Sequence, residues 1–181
     1  ESLAREGVPA LAAAAASGGD AARGAVLFHT AHLTCTKCHG AGGGVSPLGP
    51  DLAGPRVGPK GQLAGTDVTE HLVTAVLDPS AWIAAAYRPV TIVTTEGQTV
   101  TGLVARETAS SIVLRDAAAG GKEIEIARDD VEERKNLDVS LMPAGLANLL
   151  TDRQQFLDLV KYLDEIARGG PDRAKAHFMA E

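Results

Sequence analysis

Apolar positions recur with two different periods along the chain, and the change of period divides it. Over 20–32 the spacing is helical: Asp20 stands at an N-cap position, and Gly24, Leu27, Phe28 and Ala31 share one face. A glycine and an aromatic four apart on a helix suit a close crossing with a second helix. Residues 69–77 repeat the helical spacing with Leu72, Val73, Val76 and Leu77, and Asp78-Pro79-Ser80 stops it. A further short helix is expected around Trp82, Ile83 and Tyr87. From residue 90 the period falls to two. Val90-Thr91-Ile92-Val93-Thr94-Thr95 is β-branched throughout, and Glu96-Gly97 turns the chain. Strands are expected over 99–105, with Gly102 as a bulge or kink, and over 111–115 and 123–126. Asp129-Asp130-Val131 leads toward a short fifth strand. Helical spacing returns after Thr151, which with Gln154 reads as a capping box. That last helix presents Phe156, Leu157, Leu159, Val160, Leu163 and Ile166 and ends at Gly169-Gly170-Pro171.

The two ends carry less pattern. Residues 1–19 are Ala-rich and helix-prone, but Pro9 and the pair Gly18-Gly19 suggest a loosely attached arm or linker. Residues 169–181 read as a tail. The chain starts at Glu1 with neither an initiator Met nor a signal peptide, so either a signal was removed or this is a piece of a longer protein.

Composition changes the picture in two ways. Aromatics are only 3% of a chain that is 45% hydrophobic, so the core needs other apolar bulk. Net charge is −6, which argues against nucleic-acid binding. No apolar run approaches the ~20 residues of a membrane span.

The candidate chemistry lies in Cys35-Thr36-Lys37-Cys38-His39, which holds the only two cysteines of the chain. C-x-x-C-H is the signature of covalent c-type haem attachment. Each thiol adds to one vinyl group, and the following histidine offers an imidazole nitrogen to the iron. A thioredoxin-like redox pair is the first alternative, but no strand precedes Cys35. A zinc site would need a second ligand pair, which is missing. The run Gly40-Ala41-Gly42-Gly43-Gly44 lacks the Lys-Ser/Thr ending of a phosphate loop and reads as a turn.

Gly49-Pro50-Asp51-Leu52 follows the attachment motif. Together the two segments resemble class I c-type cytochromes. With Asp-Pro-Ser, Ser-Leu-Met-Pro and the final helix, the order is most similar to haem-binding domains of the Planctomycetes/Verrucomicrobia type, over 20–167. The resemblance implies a mainly α cytochrome c fold carrying an inserted small antiparallel β module, α+β overall. On that reading 20–88 and 136–168 form the cytochrome domain. Residues 89–135 are the insertion, which weakly resembles SH3-like or Sm-like barrels.

The resemblance also implies site roles. Cys35 and Cys38 attach one haem c. His39 is the proximal ligand, and the Pro50 carbonyl accepts its Nδ1 proton. Met142 is the distal ligand, held stiff by Pro143. Met179 and His71 are its rivals. The 104 positions between Cys38 and Met142 exceed the family spacing until 89–135 is set aside, which leaves 57. Trp82, the only Trp, either packs on the porphyrin, binds a propionate, or is plain core. The implied function is one-electron transfer between periplasmic or exported redox proteins, a donor dehydrogenase and an acceptor cytochrome or oxidase, without enzymatic chemistry. Two alternatives stay open: a haem sensor or peroxidase-like module, and the docking or electron-entry domain of a larger exported dehydrogenase.

Overall fold

The structure is a computed structural model and describes residues 3–42, 47–53 and 67–177. Among the described residues, six α-helices and five strands follow in order: α1 Leu3–Glu6, α2 Val8–Gly18, α3 Ala21–His29, α4 Cys35–Cys38, α5 Val68–Leu77, β1 Val90–Thr94, β2 Thr99–Glu107, β3 Ser111–Asp116, β4 Lys122–Ala127, β5 Val131–Asn136 and α6 Arg153–Ala176.

The helices pack around α6. Its buried stripe of Phe156, Leu159, Val160, Tyr162, Leu163 and Ile166 meets Phe28 and Ala25 of α3, Val73 and Val76 of α5, and Leu11 and Ala15 of α2. The expected crossing of α3 on α6 is present. A Cβ at Gly24 would land on the Asp158 carbonyl oxygen and 2.7 Å from Tyr162 Cβ, so only glycine permits this approach. Phe28 and Tyr162 have ring centroids 5.5 Å apart beside it. A buried charge pins the crossing. Asp158 accepts from Arg23 Nε at 2.7 Å, from the Asp20 amide at 2.8 Å and from Gln154 Nε2 at 2.8 Å. Asp20 in turn caps α3, its Oδ1 accepting from the amides of Ala22 and Arg23.

Residues 3–18 form the helices α1 and α2, and Leu11 and Ala15 are fully buried. This segment is part of the core and not a loose arm. Side chains of α6 satisfy its last carbonyls: Gln154 Nε2 donates to Gly18 O, and Lys161 Nζ donates to Ala16 O. The cap of α6 lies one residue later than the sequence pattern indicated. Asp152 accepts from the Gln155 amide, while the Gln155 side chain accepts from the Thr151 amide. At the far end, Gly170 breaks the helix at φ 68, but helix resumes through Ala176, and Ala174 is buried.

The sheet is entirely antiparallel, in the order β4-β3-β2-β1-β5. One face carries its own core of Val90, Ile92, Ile112, Leu114 and Ile126. Gly102 lies in register with both neighbours; the bulge falls between Val104 and Arg106. Gly102 is required for another reason, because a Cβ there would strike the Arg115 carbonyl oxygen. The fifth strand, Val-Glu-Glu-Arg-Lys-Asn, is a charged edge paired with β1.

The expectation of a mainly α cytochrome c fold with a small β insert does not hold. The architecture is α+β, with a five-stranded antiparallel sheet and a long C-terminal helix. The sheet carries a second core. Val113 lies between Ile112 and Leu114 and so points to the opposite face, yet it is buried, as is Leu103. The 3₁₀ turn Ala85–Tyr87 meets β2. The β3–β4 turn likewise meets Pro47 and Leu48 at Gly121. Among the described residues, no helix is long and apolar enough to cross a membrane.

Candidate functional site

The attachment motif sits on a single helical turn. After α3 the chain passes through Thr34, the only non-glycine residue with positive φ (56°) among those described. This kink redirects the backbone into α4, and His39 N donates to Cys35 O at 2.9 Å. Helical geometry places Cys35 and Cys38 three apart on one side, with His39 immediately beyond. Neither cysteine is in a disulfide. Burial pushes both thiols up from their usual range, most simply read as protonated thiols and not as an activated thiolate pair.

His39 is oriented by a carbonyl. Its Nδ1 lies 3.1 Å from Pro50 O. A carbonyl can only accept, so Nδ1 carries the proton. Burial holds the imidazole below its usual pKa, against the opposing pull of the Pro50 bond. The neutral ring therefore keeps its lone pair on Nε2, the form that ligates a metal. Gly49 makes the approach possible: a Cβ there would stand 2.6 Å from Cys38 O and 2.9 Å from His39 Cε1. The loop is tied back on itself. Leu52 N donates to Gly40 O, and Asp51 Oδ1 accepts from the amides of Gly42 and Ala53.

Cys35 and His39 line an apolar cleft. Its remaining walls are Phe28, Leu33, Leu52, Leu72, Ala75, Val76, Met142, Leu146, Leu159 and Leu163. Met142 thus reaches the same cleft as His39 from the far side of the sheet in sequence. Two serines hold its loop: the Ser140 amide donates to Ser80 Oγ at 3.1 Å, and the Met142 amide donates to Ser140 Oγ at 3.1 Å. This ties the Asp-Pro-Ser turn after α5 to the Met-Pro segment.

Other sequence candidates fall elsewhere. Trp82 is 42% exposed and is not among the cleft residues; its ring stands edge-on to His71, 5.3 Å between centroids. His71 is likewise absent from the cleft lining, and Met179 lies outside the described residues. Cys38 is half-buried beside the cleft and not in its wall. Sequence reading missed Gly49 as a contact of the histidine, and it missed most of the cleft wall. The glycine before Pro50 was a signal; the wall residues were legible only as helix stripes.

The donor set fits a c-type haem. The Cys35 thiol, a lone-pair imidazole and a thioether line one apolar cleft, and Cys38 lies one helical turn from Cys35. Among the described residues, no group of three or more His, Cys, Asp or Glu could hold a bare metal ion. No protein-family model matches the chain, and none of the curated proteins compared with it does.

Proposed function

We propose that the chain binds one haem c covalently through Cys35 and Cys38, with His39 and Met142 as axial ligands, and serves one-electron transfer. The observation that carries this reading is the convergence of Cys35, His39 and Met142 on one apolar cleft although Met142 is more than a hundred positions away. The resemblance to class I c-type cytochromes rests on these motifs and not on the overall architecture.

The chain's own residues do four things. Cys35 and Cys38 supply thiols held protonated until they react. Pro50 accepts the Nδ1 proton of His39, which fixes the tautomer and strengthens Nε2 as a donor. Ser80 and Ser140 hold Met142 at the cleft. Leu33, Leu72, Val76, Leu159 and Leu163 exclude water, which raises the cost of charge there. When bound, haem supplies the one-electron couple, and a thioether ligand gives that couple a higher potential than a second imidazole would. Attachment of this kind is chemistry of the periplasm or of exported proteins, and the partners proposed are redox proteins of that compartment.

Intact-mass measurement on the denatured, purified protein tests the reading. A polypeptide heavier than its bare mass by one haem supports it. Haem that extracts into acid-acetone, leaving the bare polypeptide, overturns it.

A further inference from the structure

The turn between β3 and β4 touches the loop that serves His39. Gly121, at φ +86, lies so close to Pro47 that a Cβ there would stand 2.5 Å from Pro47 Cβ, closer still to Cγ, and 3.2 Å from Leu48 Cγ. The turn is itself well held: Gly121 N donates to Asp116 O at 2.7 Å, and Ala118 N donates to Asp116 Oδ1 at 2.9 Å. Two residues beyond Leu48 comes Pro50, whose carbonyl accepts from His39. Four consecutive residues therefore connect the sheet to the histidine. Pro47 and Leu48 rest on the turn, Gly49 rests on the imidazole, and Pro50 holds its proton. Proline at both ends restricts φ and leaves this tie little slack.

We infer that the β3–β4 turn is a positioning element for His39, holding the Pro50 carbonyl at Nδ1 through Pro47 and Leu48. The sheet then sets which tautomer His39 adopts and how firmly. The inference needs the His39–Pro50 bond and not the haem; only its consequence for ligation rests on the function proposed above.

Two adjacent glycines allow a matched test. Gly120 also has positive φ (+65), but a Cβ there meets nothing within 4 Å. Gly120→Ala therefore strains the turn without pressing on the loop, and Gly121→Ala does both. Pro47→Ala removes the ring contact and leaves the turn alone, which keeps the test open if Gly121→Ala fails to fold. In the full chain as purified, the readout is solvent exchange of the His39 Nδ1 proton by NMR, beside the melting temperature. Gly121→Ala and Pro47→Ala should each exchange this proton roughly five- to tenfold faster than Gly120→Ala, the factor expected on losing one ordinary hydrogen bond. Equal exchange in all three variants would overturn the inference, and so would a wild-type ring proton too labile to observe. Loss of the haem mass with slow exchange retained would refute the proposed function and leave this inference standing.

Discussion

Gly24→Ala tests the helix crossing on which the cleft depends. The added methyl group would overlap the Asp158 carbonyl oxygen and lie 2.6 Å from its carbon and 2.7 Å from Tyr162 Cβ. Two of those three atoms are α6 backbone, so no rotamer change relieves the clash, and α3 must move outward. Overpacking of this kind costs about 1–3 kcal/mol, and a backbone obstacle places this site at the upper end. Alanine returns roughly 0.5–1 kcal/mol through its better helix propensity. The net loss is about 2 kcal/mol, or ~4–8 °C in melting temperature for a chain of this size. Gly18→Ala is the control, because it sits in α2 with nothing within 4 Å of a new Cβ and should melt at or slightly above wild type. Thermal unfolding by circular dichroism reads both. A Gly24→Ala protein that melts no lower than wild type would show that α3 and α6 do not meet as described.

Tyr162→Phe should keep or raise stability, by up to about 1 kcal/mol in chemical denaturation, because the buried hydroxyl has no hydrogen-bond partner among the described residues. Burial pushes the Tyr162 phenol up to about 12, so the unfolded chain ionises first. The stability of the wild type should fall as pH rises from about 10 toward 12, and the Phe variant should show a shallower fall. Burial alone would raise the Asp158 carboxyl, but bonds from Arg23, the Asp20 amide and Gln154 outweigh it and hold the group below the usual carboxylate range. Its contribution is present above about pH 4 and is lost as pH falls through the depressed value; Asp158→Asn should cost about 1–2 kcal/mol at pH 7 and flatten the acid limb of a stability–pH curve. Met142→Ala should abolish the weak long-wavelength charge-transfer band of sulfur ligation in the ferric protein and admit carbon monoxide to the ferrous form; a band that survives refutes Met142 as ligand.

Local signals in the sequence translated well where the cause was local. The Asp20 cap, the β-branched run of β1, the kink at Gly170 and the turn at Gly97 each follow from one or two residues, although helix resumes after Gly170 where the sequence read as a tail. Gly24 was legible because an aromatic follows four positions on. Long-range causes were not legible. Gly102 reads as a bulge by composition, yet its role is to admit the Arg115 carbonyl, which depends on the register with β3. Asp152 took the cap from Thr151 because a carboxylate accepts an amide hydrogen bond more strongly than a hydroxyl. Ala-rich α2 carried no clear stripe, so its burial by α5 and α6 could not be read from it alone. At the site, Cys35, Cys38 and His39 were visible as a motif. The meeting of Met142 with them depends on how the sheet returns the chain, which no periodicity encodes.

The base of the sheet has a consequence for that return. Arg88 Nη1 and Asp138 Oδ1 pair at 2.6 Å, and Leu137 N donates to Pro89 O at 2.8 Å, so the excursion leaves and re-enters at one point. Ser80 and Ser140, bonded to each other, are 60 positions apart in sequence. Through the clasp, the flexible path between them shortens to roughly ten residues, and by the logarithmic law for ring closure that lowers the entropic cost of the contact by about 1.6 kcal/mol. The folded sheet thus acts on the Met142 loop as a short tether acts on a linked ligand, raising the local concentration of the thioether at the cleft without touching it. On this logic, shortening the sheet's hairpins should leave Met142 where it is, whereas parting β5 from β1 at the base should loosen it.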